Sequence, residues 1–406
     1  NFKAPAEQNK QKRGTLMNDK EFTSLQDLRN RIDSVDRELV RLFVERMHTS
    51  AAVAEWKREN GKPVFDAARE RALISRVSQL SGREFEEYTR VLYATIMGLS
   101  RAYQHKCLND FSGTSDTIRD MLDRTPQIFP ERAAVACQGV EGAYSQIAAE
   151  RLFKAPEISF YTSFSDVFDA ISSGTCRYGV LPIENSTAGS VRQVYDLMVR
   201  HHFYIVRSTR IKIDHCLLVN PGTRREDIRE VFSHEQAISQ SAGFLRTLEG
   251  QNDSLKITPA ANTAAAAKQL AESGRRDAAA LSSRFCAGLY GLETLSEGVQ
   301  DAGNNHTRFL CISGTPEIYP GADRAALMAV TGNRPGALYR ILARFSELDV
   351  NLTKLESRPI PERDFESMFY FEIEVPAVSD KLPLLLSEME AECEQFRFLG
   401  SYREVV

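Results

Sequence analysis

No stretch of the chain reaches the ~18 consecutive apolar residues of a membrane-spanning helix, so no span is expected. Residues 1–20 are polar and lack the apolar centre of a secretory signal, which predicts a disordered leader and a cytoplasmic protein. Excess positive charge is missing too: 51 Lys and Arg face 55 Asp and Glu, for a net charge of −4. That balance argues against nucleic acid as a partner and requires any anion site to be assembled locally. The seven cysteines contain no CxxC pair and sit mostly in apolar surroundings such as Ala136-Cys137 and Leu310-Cys311. Disulfides and zinc are therefore not expected, and nothing in the chain calls for another metal or a cofactor.

What is present is an ordinary globular composition, 42% hydrophobic and 26% charged over 406 residues, a length that suggests two to four domains. Residues 25–57 carry a heptad seam of Leu25, Leu28, Ile32, Val35, Leu39 and Leu42 on one long helix. Continued, the register lands on Arg46 and Thr49 before returning to Val53 and Trp56. A guanidinium where packing asks for leucine needs a partner. An anionic ligand would serve, and so would Glu70 or an acid from another helix; this helix alone leaves both open. Arg29 follows Leu28 and Lys57 follows Trp56, adding cations beside the seam.

Asn60-Gly61-Lys62-Pro63 predicts a stop, Asp66 a cap for a second helix to about residue 80, and Tyr88, Val91, Leu92, Thr95, Ile96 and Leu99 a third. The first helix spans roughly 50 Å at ~1.5 Å per residue, about twice the cover either neighbour offers. Its excess seam predicts an intertwined dimer.

Arg29, Arg46, Lys57, Asp66, Arg69, Glu70, Ser100 and Gln104 together resemble the active-site set of the all-helical chorismate mutases. The resemblance implies an all-α domain over residues 21–110 that rearranges chorismate to prephenate by positioning and electrostatics, without acid, base or metal. By the same resemblance Arg46 and the partner subunit's Arg29 hold the carboxylates, and Lys57 and Gln104 donate to the ether oxygen. Glu70 with Asp66 takes the ring hydroxyl, Ser100 sits by a carboxylate, and Arg69 binds the carboxylates or holds them in place. A plain helical dimerisation module is the alternative.

Residues 111–130, with Ser-Gly-Thr-Ser, Thr-Pro and Phe-Pro, suit a linker. Beyond them, residues 131–313 alternate strand and helix, which predicts parallel α/β sheets in two lobes with a cleft. A glycine-bearing loop at 139–145 opens a helix, an anion-binding arrangement or a simple strand-to-helix turn. Three polar clusters follow: Glu184-Asn185-Ser186, Ser233-His234-Glu235-Gln236, and Asn304-Asn305-His306-Thr307-Arg308-Phe309. With the glycine loop they resemble the motifs of prephenate dehydratases, above all Thr307-Arg308-Phe309, although Ala143 and Asn262 stand where that family often has serine.

This resemblance implies a two-lobed fold like the periplasmic binding proteins, and conversion of prephenate to phenylpyruvate by loss of carbon dioxide and water. Thr307 would protonate the departing hydroxyl. Arg308 would hold a substrate carboxylate, with Phe309 beside it and Asn185 and Ser186 as polar contacts across the cleft. His234 is expected to cap a helix or join a network. A sensor that binds without turnover is the alternative.

Residues 314–406 order their elements β-α-β-β-α-β, as in a ferredoxin-like α+β fold. The loop carrying Asn333, Gly336, Ala337 and Leu338, and the strand end Glu356, Ser357 and Arg358, resemble the two signatures of the ACT regulatory domain. They imply an L-phenylalanine site between paired modules, whereas a purely dimerising module would need no ligand. The three parts occur in the order of bifunctional chorismate mutase/prephenate dehydratases. Two consecutive steps, feedback inhibition by phenylalanine, and a homodimer or homotetramer are therefore expected. An active mutase fused to a non-catalytic sensing module is the other reading.

Overall fold

Ser24 accepts the backbone N–H of Asp27 and opens the 35-residue helix α1 (Leu25–Glu59), which carries Asp27 in its first turn and Lys57 and Arg58 in its last, as the helix dipole favours. The computed structural model describes residues 24–108, 114–250, 255–332, 336–360 and 366–406, in two units comprising residues 1–110 and 111–406. Asn333 and the leader at 1–20 lie outside the described residues. In the first unit Asp66 caps α2 (Ala67–Leu80) by accepting from the Arg69 N–H at 2.9 Å. Gly82, at φ +74°, turns the chain directly into α3 (Gly82–Leu108). Ala54, Met97, Ser100 and Gln104 are buried, while the seam Leu25, Leu28, Ile32, Val35, Leu39 and Leu42 stays 44–63% exposed in the single chain.

The second unit holds two sheets. The larger runs, edge to edge, through Asn351–Pro359, Ser367–Glu374, Arg324–Val330, Gln395–Val405, Tyr204–Lys212, His306–Ser313, Tyr178–Asn185, Ala134–Gln138 and Glu157–Tyr161. The smaller runs through Glu293–Ser296, Cys216–Val219, Ala278–Ser282, Glu230–Ser233 and Lys256–Pro259. The chain passes from the first lobe to the second after Lys212 and returns before His306, so the returning strand His306–Ser313 lies antiparallel to both neighbours. The sheets are therefore mixed, where alternation alone predicted parallel ones.

Two of the expected boundaries differ. Of the expected linker 111–130, residues 114–130 pack on the second unit: the helix Thr114–Arg124 buries Ile118 and Met121 in a core with Leu386, Thr125 accepts the Ile318 N–H, and Phe129 packs among Phe153, Tyr178 and Tyr319. Apolar residues at i and i+3 give that short helix a face to bury. Nor is the C-terminal β-α-β-β-α-β run separate from the α/β part, because its last strand pairs in parallel with Tyr204–Lys212, Glu404 opposite Ser208. Gly400 permits this join: a Cβ there would lie 2.3 Å from the Ile205 carbonyl oxygen.

Candidate active sites

In the helical unit the heptad misfits converge. A cavity of about 430 Å³ is lined by Arg46, Lys57, Asp66, Arg69, Glu70, Ser100, Arg101 and Gln104, with Leu42, Val53, Leu73 and Met97 as its apolar wall. Arg46 donates to the Ser100 hydroxyl and reaches Met97 Sδ at 3.7 Å. Burial without a compensating acid pulls its guanidinium below the ordinary value. Lys57 donates to the Val64 carbonyl. The Gln104 amide donates to Ser50 Oγ at 2.8 Å, and its buried carbonyl oxygen has no partner among the described residues.

The cavity's acids are engaged elsewhere: Glu45 pairs with Arg41, Asp66 caps α2, and Glu70 bonds Arg101. Arg46, Lys57 and Arg69 thus face the cavity with no carboxylate at ion-pair distance among the described residues. Glu70 neutralises Arg101, so within the described residues it is not the partner of Arg46. Arg101 was missed because it follows Ser100 on α3 and breaks no pattern; it also lies over the Phe65 ring at 5.1 Å. Arg29 is exposed and does not line this cavity, for seventeen residues of helix put it about 25 Å from Arg46.

In the second unit, strands Tyr178–Asn185 and His306–Ser313 set Thr307 opposite Asn185, and Arg308 opposite Glu184. Side chains alternate along a strand, so the first pair faces the other lobe and the second faces away. Asn185 Nδ2 donates to Thr307 Oγ1 at 2.9 Å and to Asn305 Oδ1 at 2.7 Å. Its Oδ1 accepts from the N–H groups of Thr187 and Ala188, which fixes the orientation of the amide. From the second lobe, Gln240 donates to Thr187 Oγ1 at 2.8 Å and accepts from Asn305 Nδ2 at 3.0 Å. Behind Gln240 lies His215, 3.2 Å away, which burial holds toward its neutral form. Asn185 fills one Thr307 lone pair, and the Thr307 O–H has no acceptor among the described residues. Thr187, Gln240 and His215 were not legible as site residues: Thr187 and Gln240 lie just past the polar clusters singled out above, and His215 beside Asp214 belongs to no motif.

The other expected dehydratase residues take different places. Arg308 does not face the cleft; it is buried on the far side, 2.6 Å from Glu372 and 3.1 Å from Glu404, and donates to the Tyr402 hydroxyl. Burial alone would raise the Glu372 carboxyl, but Arg308, Tyr402 and Arg324 outweigh it and hold it below the usual carboxylate range. Phe309 is 3% exposed in a core with Val135, Cys137 and Tyr178, which makes it a packing residue. Ser186 spends both hydrogen-bonding roles on the backbone, donating to the Asn304 carbonyl and accepting from the His306 N–H. His234 caps the short helix Glu235–Gln240, as expected.

At the C-terminal module Gly336, at φ +77°, precedes the helix Ala337–Glu347, with Ala337 buried and Leu338 packed on the core. Ser357 is exposed on the edge strand. Glu356 and Arg358 turn inward instead: Glu356 accepts from Ser190 Oγ at 2.7 Å, and Arg358 makes a bidentate pair with Asp196. These two side chains are therefore committed to the α/β part of the same chain.

Comparison with known proteins bears on both sites. Residues 135–317 match the family model for prephenate dehydratase, and residues 28–105 that for chorismate mutase type II. Arogenate dehydratase/prephenate dehydratase 2 of Arabidopsis thaliana is 36% identical over 283 residues, which cover 67% of this chain and 73% of that protein. A bifunctional chorismate mutase/prephenate dehydratase of Enterobacter agglomerans is 29% identical over 383 residues, covering 92% of this chain and 95% of the relative. Among solved structures, the prephenate dehydratase of Arthrobacter aurescens in complex with L-Phe superposes with a TM-score of 0.60 at 26% identity, covering 66% of this chain and 90% of that one.

Proposed function

Because the chain belongs to the prephenate dehydratase family and carries a type II chorismate mutase segment ahead of that region, we infer that it performs two consecutive steps toward L-phenylalanine. Chorismate is rearranged to prephenate in the helical unit, and prephenate becomes phenylpyruvate in the two-lobed part. The observation that carries this reading is the convergence of Arg46, Lys57 and Gln104 on one cavity whose own acids are engaged elsewhere.

Chorismate brings two carboxylates, and in its rearrangement the breaking ether oxygen gains negative charge. Arg46 pairs a carboxylate, while Lys57 and Gln104 donate to that oxygen. Charge-assisted bonds of this kind are worth about 1.5–3 kcal/mol each, and those that strengthen in the transition state lower the barrier. Glu70, held by Arg101, and Asp66 receive the ring hydroxyl, with Ser100 and Arg69 aligning the carboxylates. The partner subunit's Arg29 completes the site in a dimer built on the exposed α1 seam. The cavity in one chain supports this division, since it lacks Arg29 while its other cations are in place.

In the dehydratase step the ring carboxylate leaves as carbon dioxide, its bonding pair enters the ring, and the hydroxyl departs as water with a proton from Thr307, which solvent replaces. Asn185 holds the threonine oxygen so that its hydrogen points to the substrate, and Asn305, Thr187 and Gln240 hold Asn185. The C-terminal module is read as an ACT domain that binds L-phenylalanine at Asn333, Gly336, Ala337, Leu338 and Ser357 between paired copies and lowers dehydratase activity. The L-Phe complex of the Arthrobacter relative supports that role. Free buried thiols such as Cys137 and Cys311 suit a reducing cytoplasm.

Chorismate supplied to the full chain should give phenylpyruvate with prephenate in between, and added phenylalanine should slow the second step. Consumption of chorismate that stops at prephenate would leave a mutase fused to a sensing module.

A further inference from the structure

The strand pair that presents Thr307 and Asn185 to the cleft presents Arg308 and Glu184 to the opposite side, one residue away on each strand. Both rear side chains are gripped by the C-terminal module. Glu372, on the strand Ser367–Glu374, holds Arg308 at 2.6 Å. Lys354, on the edge strand Asn351–Pro359, holds Glu184 at 2.7 Å and also donates to Ser190 Oγ at 3.0 Å. Glu356 and Arg358 fasten the same face of that edge strand to Ser190 and Asp196. Between the two grips lies a cavity of about 660 Å³ lined by Glu184, Arg308, Arg324, Lys354 and Glu372, so the catalytic pair is not backed by a rigid apolar core.

We propose that Lys354 and Glu372 are positioning residues of the dehydratase reaction, by which the C-terminal module sets the spacing of Thr307 and Asn185 from behind. The proposal rests on the reading of Thr307 as proton donor and deepens it by naming the route of regulation. Lys354, Glu356 and Arg358 share the inward face of the edge strand, while Leu355 and Ser357 face outward and are exposed. A ligand or second copy that seats on the outward face moves the inward one, and the displacement reaches Glu184 through a single hydrogen-bonded ion pair. Misplacement of reacting groups by about 1 Å can cost ~10²-fold in rate, so a small shift suffices.

The test uses the full chain, with prephenate and chorismate assayed separately. Lys354→Met should lower kcat for prephenate about tenfold or more, a part of that ~10²-fold range, with KM nearly unchanged, and should blunt inhibition by phenylalanine. Lys354→Arg should restore most of both, and the mutase rate should stay at the parent value throughout. Glu184→Gln breaks the same bond from the other side; it should reproduce the Lys354→Met phenotype, and the double variant should be no worse than either. Should Lys354→Met or Glu184→Gln fold and retain the parent kcat and phenylalanine response while Thr307→Ala is inactive, the positioning role is wrong and the proton-donor reading stands. An active Thr307→Ala variant overturns that reading, and with it the basis of this proposal.

Discussion

Arg46 is half-buried and Arg308 buried, and their surroundings are opposite. Arg46 faces a cavity with hydroxyl and thioether neighbours and no carboxylate at ion-pair distance among the described residues, so its desolvation is unrelieved and an incoming anion would relieve it. Arg308 is enclosed by Glu372 and Glu404, and against the opposing effect of burial Tyr402 and Glu372 push its guanidinium the other way, above its ordinary value. A cation whose charge is already met recruits little. On the proposed reading the helical site recognises charge, whereas the Thr307 network consists of neutral amides and hydroxyls.

The strongest way to break this contrast is to exchange the losses. Thr307→Ala should lower prephenate turnover by about 10²–10⁴-fold, the usual worth of a positioned proton donor, and leave chorismate consumption intact. Arg46→Ala should do the reverse, lowering mutase kcat/KM by about 10–10²-fold as expected for the loss of a charge-assisted bond to a substrate carboxylate. Separate assays with chorismate and prephenate as substrates check both. If either change removed both activities, two independent sites would be untenable.

A smaller effect separates contact from packing inside the cleft motif itself. Phe309→Ala should destabilise the second unit by about 3–5 kcal/mol in urea unfolding, the cost of emptying a core position, whereas Phe309→Leu should fold with near-parent KM. A phenylalanine that touched substrate would instead change KM in both variants with little loss of stability.

The sequence was most legible where periodicity carried the information. The ends of α1 and α2, the cap at Asp66 and the six C-terminal elements all follow from apolar spacing and cap residues, and Arg46 was conspicuous because it interrupts a seven-residue repeat. The strand Tyr204–Lys212, central to the larger sheet, has no clear sequence signal because Arg207, Ser208 and Thr209 interrupt its apolar pattern; Ser208 and Thr209 are nevertheless buried. The assignment of Arg308 failed for a different reason. Its partners Glu372 and Glu404 are 64 and 96 residues later in sequence, and only the pairing of the last strand with Tyr204–Lys212 brings them beside it. Charge compensation across such distances leaves no local signature. The same holds for Gln240, which joins the cleft network only because the chain crosses between lobes.

Acid should expose the contrast from the side of stability. The Glu372 carboxyl is held below the usual range within its arginine cage, and Glu230 in the second lobe is held at about 2 by bonds from Thr258, Arg275 and Lys256. A carboxyl whose folded pKa is depressed contributes stability that is fully present above its unfolded value, near 4.3 for glutamate, and is lost as pH falls through the folded one. The second unit should therefore hold its unfolding midpoint from pH 7 to about 5 and lose it progressively below about 4. Glu372→Gln should lower the midpoint at pH 7 and flatten its descent in acid, because the proton-linked part of the stability has been removed while Arg308 has lost a charge partner. Circular dichroism of the tyrosine bands would follow this transition, with the fluorescence of Trp56, the single tryptophan, reporting the helical unit alongside. A parent and a Glu372→Gln variant that decline in parallel would show that this carboxyl titrates as an ordinary one, and that Arg308 is held by packing and Glu404 instead of by the grip from the C-terminal module.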